Sequence, residues 1–247
     1  MSGGHSCCPR HSPLEFGAER NEKGKALVTF NGALLCLGNS GAGTVDLIME
    51  KNGERFIEAE ISGNKVSGAG QPSAIIKEVD GVNYIYAYYT DWGIGPDSIH
   101  LARAPLGQID NPNAWQKHNN GEFSSTGSKG LSTPVIIPQP DEVYVAIPSV
   151  SFNNHIGKFI ATFEGSSGFW LSTSVDGISW QGHQKIVEFP QAHDKVVSGS
   201  SRFSYPTLLS LNTNNQFVTG NTGELIYSRG VYDKSPNQMK VREFNIS

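Results

Sequence analysis

The sequence predicts an all-β fold, a β-propeller of four-stranded antiparallel blades, and three observations carry that expectation. Helical periodicity is nearly missing. Short runs rich in β-branched and aromatic residues alternate instead with Gly, Asn and Asp turns, which is the pattern of strands. The runs fall into four groups of four, and turn dipeptides recur at matching joints within the groups. A four-strand unit repeated without intervening helices cannot cover both of its faces alone, so the units must pack against one another as blades do.

The first group reads KALVTF (25–30), ALLCLG (33–38), VDLIME (45–50) and RFIEAEI (55–61). SAIIKEV (73–79), YIYAYYT (84–90), SIHLARA (98–104) and WQKH (115–118) make the second. The third holds TPVIIP (133–138), KFIATFE (158–164), FWLSTSV (169–175) and WQGHQKIVEF (180–189). YPTLLSL (205–211), QFVTG (216–220), ELIYSR (224–229) and MKVREFNI (239–246) complete the fourth. Asn31-Gly32 and Asp80-Gly81 separate first and second strands, as hairpin turns require. Asn52-Gly53 and Asp176-Gly177 separate third and fourth strands. Four blades follow, with five as the alternative count. Residues 25–247 are then a single propeller domain, preceded by a flexible or edge-covering segment over 1–24.

Composition agrees with a turn-rich globular chain. Of 247 residues, 28 are Gly, and only 17% are charged. The net charge of −4 comes with no basic run, which excludes a nucleic-acid footprint. No apolar stretch reaches the roughly 20 residues that cross a bilayer, so no membrane partner is expected. Cys7, Cys8 and Cys36 form an odd set without framework spacing. With no signal pattern at the N-terminus, a cytoplasmic, reducing setting is the expectation. His5, Cys7, Cys8 and His11 lack the two separated pairs of a zinc site.

Ser174-Val175-Asp176-Gly177-Ile178-Ser179-Trp180 resembles the Asp-box, the turn between the third and fourth strands of sialidase-type blades. EKNGERF (50–56) reads as a decayed copy ending in Phe56. GQPSAIIKEVDGVNYIYAYYTDWG (70–93) is similar to a blade opening of the five-bladed glycoside hydrolases, and SYPTLLSLN (204–212) to a segment of sialidase-like propellers. Together these resemble the superfamily of sialidases and five-bladed glycoside hydrolases. The resemblance implies a carbohydrate ligand at one end of the blades. It also makes Asp176 a turn residue rather than an acid.

Glycoside cleavage uses two facing carboxyl groups. The five-bladed hydrolases place one at the Asp of D-P-S, where this chain has Gln71. The candidates that remain are Asp91 and Glu164, each also readable as a loop cap or an edge charge. Tyr205 matches the sialidase tyrosine loosely, and it is also readable as an inner-strand aromatic. Gln71, Trp92, Arg202, Asn153, Asn154 and His155 are the candidate substrate-binding residues, the last three within a polar insertion expected in the third blade. Scattered histidines show no local metal spacing, so no cofactor is expected, although a ring fold leaves room for an axial calcium or sodium ion. The expected function is a carbohydrate-active, single-site propeller related to the glycosidases. The alternatives are a glycan-binding, lectin-like propeller and a protein-binding scaffold.

Overall fold

The computed structural model describes residues 16–20, 26–30, 33–37, 49–51, 54–57, 69–92, 95–128, 130–193, 198–210, 215, 217–231 and 234–246. Its chain contacts cluster into two compact units. One comprises Met1–Pro72, Ile76–Gly95 and His100–Thr133, and the other Ser73–Ile75, Pro96–Ile99 and Pro134–Ser247.

In the first unit, β1 (Phe16–Arg20), β2 (Ala26–Phe30) and β3 (Ala33–Leu37) form an antiparallel sheet in that order. The strand β1 lies within the lead-in expected over 1–24. A separate hairpin follows, β4 (Met49–Lys51) with β5 (Glu54–Ile57). Among the described residues the first expected blade falls into two sheets rather than one. Its turn residues Asn31-Gly32 and Asn52-Gly53 lie outside the described residues, as do Cys7, Cys8, His5 and His11.

The largest sheet of this unit runs β6 (Ala69–Val79), β7 (Val82–Asp91), β8 (Ser98–Pro105), β9 (Gln116–Asn119) and β10 (Glu122–Thr126), neighbour to neighbour. Asp80 and Gly81 join β6 to β7 with φ of 51° and 78°, the doubly left-handed turn expected of Asp-Gly. Asn120-Gly121 repeats it between β9 and β10, with φ of 51° and 92°. That second turn, and with it β10, goes unread in the sequence because Glu122–Thr126 has little apolar character. Phe56 stacks on Trp115 at 6.3 Å between ring centres, and both are buried.

In the second unit, β11 (Val145–Asn153), β12 (Lys158–Gly165), β13 (Gly168–Ser174) and β14 (Gln181–Glu188) form an antiparallel sheet. The expected first strand of this group, TPVIIP, makes only an isolated bridge at Ile136. Pro134, Pro138 and Pro140 crowd that run, and each removes a ladder donor. The real first strand is VAIPSVSFN, whose alternation is obscured by its buried polar residues Ser151 and Asn153. The polar insertion expected at 151–155 is thus a strand end and a tight turn.

The last sheet holds β15 (Ser201–Leu209), β17 (Thr222–Val231) and β18 (Lys234–Asn245). Between β15 and β17, the short β16 (Val218–Thr219) leaves this sheet and pairs in parallel with the end of β11. Asn153 explains the capture. Its Nδ2 donates to Thr219 Oγ1 at 3.1 Å and to the Gly220 carbonyl at 2.6 Å. The core of the unit is Ile160, Phe169, Val187, Phe189, Phe203, Leu208, Leu225 and Tyr227. Each such side chain contributes about 1.5–3 kcal/mol on burial.

Candidate functional site

One local device recurs at the start of the first strand in three sheets. Gln71, Ile147 and Tyr205 each precede a proline and each has a left-handed φ, of 53°, 54° and 63°. The residue after each proline is Ser73, Ser149 or Thr207. The ladders slip at this element, between Ala146 and Ser149 in β11 and between Ser204 and Thr207 in β15. A β-branched or bulky side chain at positive φ is strained by about 1–3 kcal/mol, and such strain gathers at functional positions. The sequence shows the three X-Pro-Ser/Thr triplets, but Ile147 aligns with the others only when the third group begins at β11 rather than at residue 133.

In the first unit this element adjoins Asp91 and Trp92. Thr90 Oγ1 donates to the Gln71 side-chain oxygen at 2.9 Å, which leaves the amide N–H groups of Gln71 facing outward from that bond. Trp92, half-buried, lies on Gly70, where an added Cβ would sit 3.1 Å from the indole ring. Asp91 is buried beside them at the end of β7. A flat aromatic beside an amide and a carboxylate suits a sugar ring and its hydroxyls.

Deeper in this sheet, Tyr89, His100 and Lys117 are buried together. Ser132 Oγ lies 2.8 Å from His100 Nδ1, and Lys117 Nζ donates to the Gly130 carbonyl at 2.9 Å. Burial, then the charges of Lys117 and His118, lower the His100 pKa to about 3. Burial likewise keeps the Tyr89 phenol protonated. A histidine so reluctant to accept a proton does not serve as a base at neutral pH.

In the second unit the centre is Glu164, which lies opposite Ala146 in the ladder and so next to the strained Ile147. It is only 4% exposed. Tyr144 Oη donates to Glu164 Oε1 at 2.9 Å, and His193 Nδ1 lies 3.0 Å from the same oxygen. Glu164 Oε2 is buried without a hydrogen-bond partner among the described residues. Burial, and then the adjoining Glu164 carboxylate, push the Tyr144 phenol far above its ordinary range, against a smaller opposing pull from Arg202. Arg202, exposed on β15, is therefore within electrostatic reach of this cluster. Tyr205 stands on the same strand, 57% exposed. It does not fill the interior, as an inner-strand aromatic would. The bulge carrying it is tied to β12 where Thr162 Oγ1 donates to the Pro206 carbonyl at 3.0 Å.

Glu142, which no sequence motif marks, lies nearby. Its carboxylate accepts from Ser166 Oγ at 2.7 Å, Ser167 N at 2.8 Å, Trp170 Nε1 at 2.9 Å and the Ser167 hydroxyl, and Lys185 approaches to 3.4 Å. Burial works to raise its pKa, but the serine and tryptophan hydrogen bonds outweigh it and hold the carboxyl below its ordinary range. Every lone pair is engaged, so Glu142 is a fastener.

Asn153, Asn154 and His155 are not brought to Glu164. They lie at the β11–β12 turn, seven residues along the strand from Ala146, or about 23 Å. Asn153 is fully buried, and its Oδ1 accepts the His155 and Ile156 N–H groups while its amide holds Thr219 and Gly220. No atom of its side chain is left for a ligand. Asn154 and His155 are exposed there.

The turn at Asp176 behaves as its sequence requires. Asp176 Oδ1 accepts from Ile178 N at 2.8 Å, Ser179 N at 2.7 Å and Ser174 Oγ at 2.8 Å, and Gly177 takes φ of 72°. Burial opposes ionisation, but those bonds prevail and lower the pKa to about 2. Among the described residues, no three His, Cys, Asp or Glu side chains converge as metal ligands. No helix among them is long and apolar enough to cross a membrane.

The architecture is all-β, built almost wholly of antiparallel sheets. It is similar to the exo-inulinase of Aspergillus awamori with a TM-score of 0.53 at 16% identity, over 95% of this chain and 46% of that one. The chain thus spans about half the length of that enzyme, and the likeness is one of fold. A structure described under the mannoside phosphorylase family whose glycoside hydrolases target β-1,2-mannosidic linkages in Candida mannan matches at a TM-score of 0.37 and 12% identity, over 94% of this chain and 70% of that one. At that score it carries no argument. No family profile matches the chain, and no curated protein does. Neither of these two structures is described as a sialidase.

Proposed function

We propose that the chain is a carbohydrate-active propeller and that Glu164 is the proton-handling group of a glycan site in its second unit. The observation that carries this reading is the buried carboxylate with one oxygen held by Tyr144 and His193 and the other without a partner among the described residues. A sugar hydroxyl or glycosidic oxygen is a suitable partner for that second oxygen. Arg202 and Tyr205 on β15 are the binding groups of this site. Gln71, Asp91 and Trp92 supply a sugar-binding surface in the first unit.

A second reading, glycan binding without cleavage, is favoured by one observation. The three strained pre-proline positions hold an amide, an alkyl group and a phenol, and none holds a carboxylate. Hydrolysis of the usual kind needs two carboxyl groups, and Glu142 is fully engaged. Incubation with fructo-, manno-, galacto- and uronate-containing oligosaccharides, read by mass spectrometry for retention and cleavage, tests both. Cleavage abolished by Glu164→Gln establishes the enzyme; retention alone establishes the binding protein. Asp91→Asn tests the first-unit surface separately. The absence of both retention and cleavage by the wild-type protein refutes the carbohydrate reading.

A further inference from the structure

His193 belongs to no motif, yet both of its ring nitrogens are engaged in the second unit. Its Nε2 lies 3.3 Å from the Phe203 backbone nitrogen. A backbone N–H can only donate, so Nε2 accepts and the ring proton sits on Nδ1. That nitrogen faces Glu164 Oε1 at 3.0 Å and the Tyr144 hydroxyl at 2.9 Å. The ring cannot turn to exchange its nitrogens freely. Phe189 stacks on it at 4.5 Å and 21°, and Phe203 stacks on Phe189 at 5.1 Å and 11°. Arg229 closes the far side, 5.5 Å over the Phe203 ring.

We propose that His193 is a positioning residue, locked as the Nδ1–H tautomer by the main chain of β15, that turns Glu164 so that Oε2 faces the ligand. Hydrogen-bonding capacity decides the point. Tyr144 and His193 both deliver protons to Oε1, which fixes the carboxylate rotamer and leaves Oε2 as the acceptor still to be satisfied. With both nitrogens committed, His193 itself touches no ligand. The ring stack holds the imidazole plane, so Glu164 is oriented by the joint between β14 and β15 together with Tyr144 just before β11, rather than by its own strand. The ligand half of this inference rests on the glycan reading above; the tautomer half does not.

Two measurements separate them. A long-range proton–nitrogen spectrum of protein labelled with nitrogen-15 histidine, with His193 assigned from the His193→Asn spectrum, should show a protonated Nδ1 and a bare Nε2 at neutral pH. A protonated Nε2, or averaging of the two tautomers, overturns the lock. The oligosaccharide panel is then run on His193→Asn, which keeps a donor near Nδ1, and on His193→Phe, which keeps the stack and removes both bonds. We expect the Phe variant to lose about tenfold or more in retention or cleavage and the Asn variant to lose much less. Equal behaviour of the Phe variant and the wild type overturns the positioning role, as does an equal loss in a folded Asn variant. A Phe variant that fails to fold leaves the decision with the Asn variant and the wild-type spectrum. Wild-type protein that retains and cleaves nothing overturns the glycan reading and the ligand half together, while the spectrum still decides the tautomer.

Discussion

Acidification should destabilise this protein well above the carboxylate range, and His100 is the reason. In the fold its pKa is lowered to about 3, whereas the ordinary value is 6.5. The unfolded chain therefore takes up the proton first. The stability this group confers is full above pH 6.5 and is lost as the pH falls from 6.5 towards 3. At pH 5 the loss through this single group is about 2 kcal/mol, and the limit well below pH 3 is about 5 kcal/mol. With His100 only 7% exposed, solvent screens little of this effect. The comparison that isolates it is His100→Gln, which keeps a hydrogen-bonding group near Ser132 and cannot titrate. Thermal unfolding of both proteins at pH 7 and pH 5 should show the wild type losing about 4–8 °C more than the variant. His183, whose pKa burial also lowers, is common to both proteins and cancels in the difference. Parallel losses in wild type and variant between pH 7 and 5 would contradict this account, because they place His100 in water or beside a compensating anion.

Three further outcomes are expected. Glu142→Gln removes the charge that Lys185 and four donors surround, at a cost of about 3 kcal/mol in urea unfolding; because the folded pKa lies below 4.5, the wild-type advantage is present above that value and disappears as the pH falls below it. Asp176→Ala should lower stability by about 1–2 kcal/mol, while Asp176→Asn, which keeps an acceptor for Ile178 and Ser179, should cost under about 0.5 kcal/mol; equal effects would remove the turn from the account. Gly70→Ala puts a Cβ 3.1 Å from the Trp92 indole, so the ring must shift by a few tenths of an ångström, its emission should move and glycan retention should fall; an unchanged emission spectrum contradicts the contact.

Much of this fold is legible in the amino-acid sequence. Asp80-Gly81 and Asp176-Gly177 announce their turns because a left-handed residue restricts composition sharply. Other elements mislead for reasons that are equally local. TPVIIP has the apolar residues of a strand, but its prolines cannot complete a ladder. QFVTG reads as a member of the last sheet, and only the reach of Asn153 shows that it pairs elsewhere. Of the candidate residues, Gln71 and Trp92 adjoin in the first unit, and Glu164 and Arg202 share a cluster in the second. Asn153, which stands out by its polarity in an expected loop, is a buried structural amide.

Steric limits acting within a few residues are enough to dictate the strand-and-turn grammar and the lack of helical periodicity, so both can be read along the chain; the left-handed backbone at Gln71, Ile147 and Tyr205 runs against those limits and appears only in the fold. Which lone pairs of each carboxylate are filled is decided only by packing. Glu142 and Glu164 are both buried acids of the same unit, and nothing in their neighbours along the chain separates them. Their difference comes from donors brought in by the fold: Ser166, Ser167, Trp170 and Lys185 saturate the first, while Tyr144 and His193 occupy only one oxygen of the second. A carboxylate's role is set by which lone pairs remain unfilled, and that count exists only once the sheets have packed.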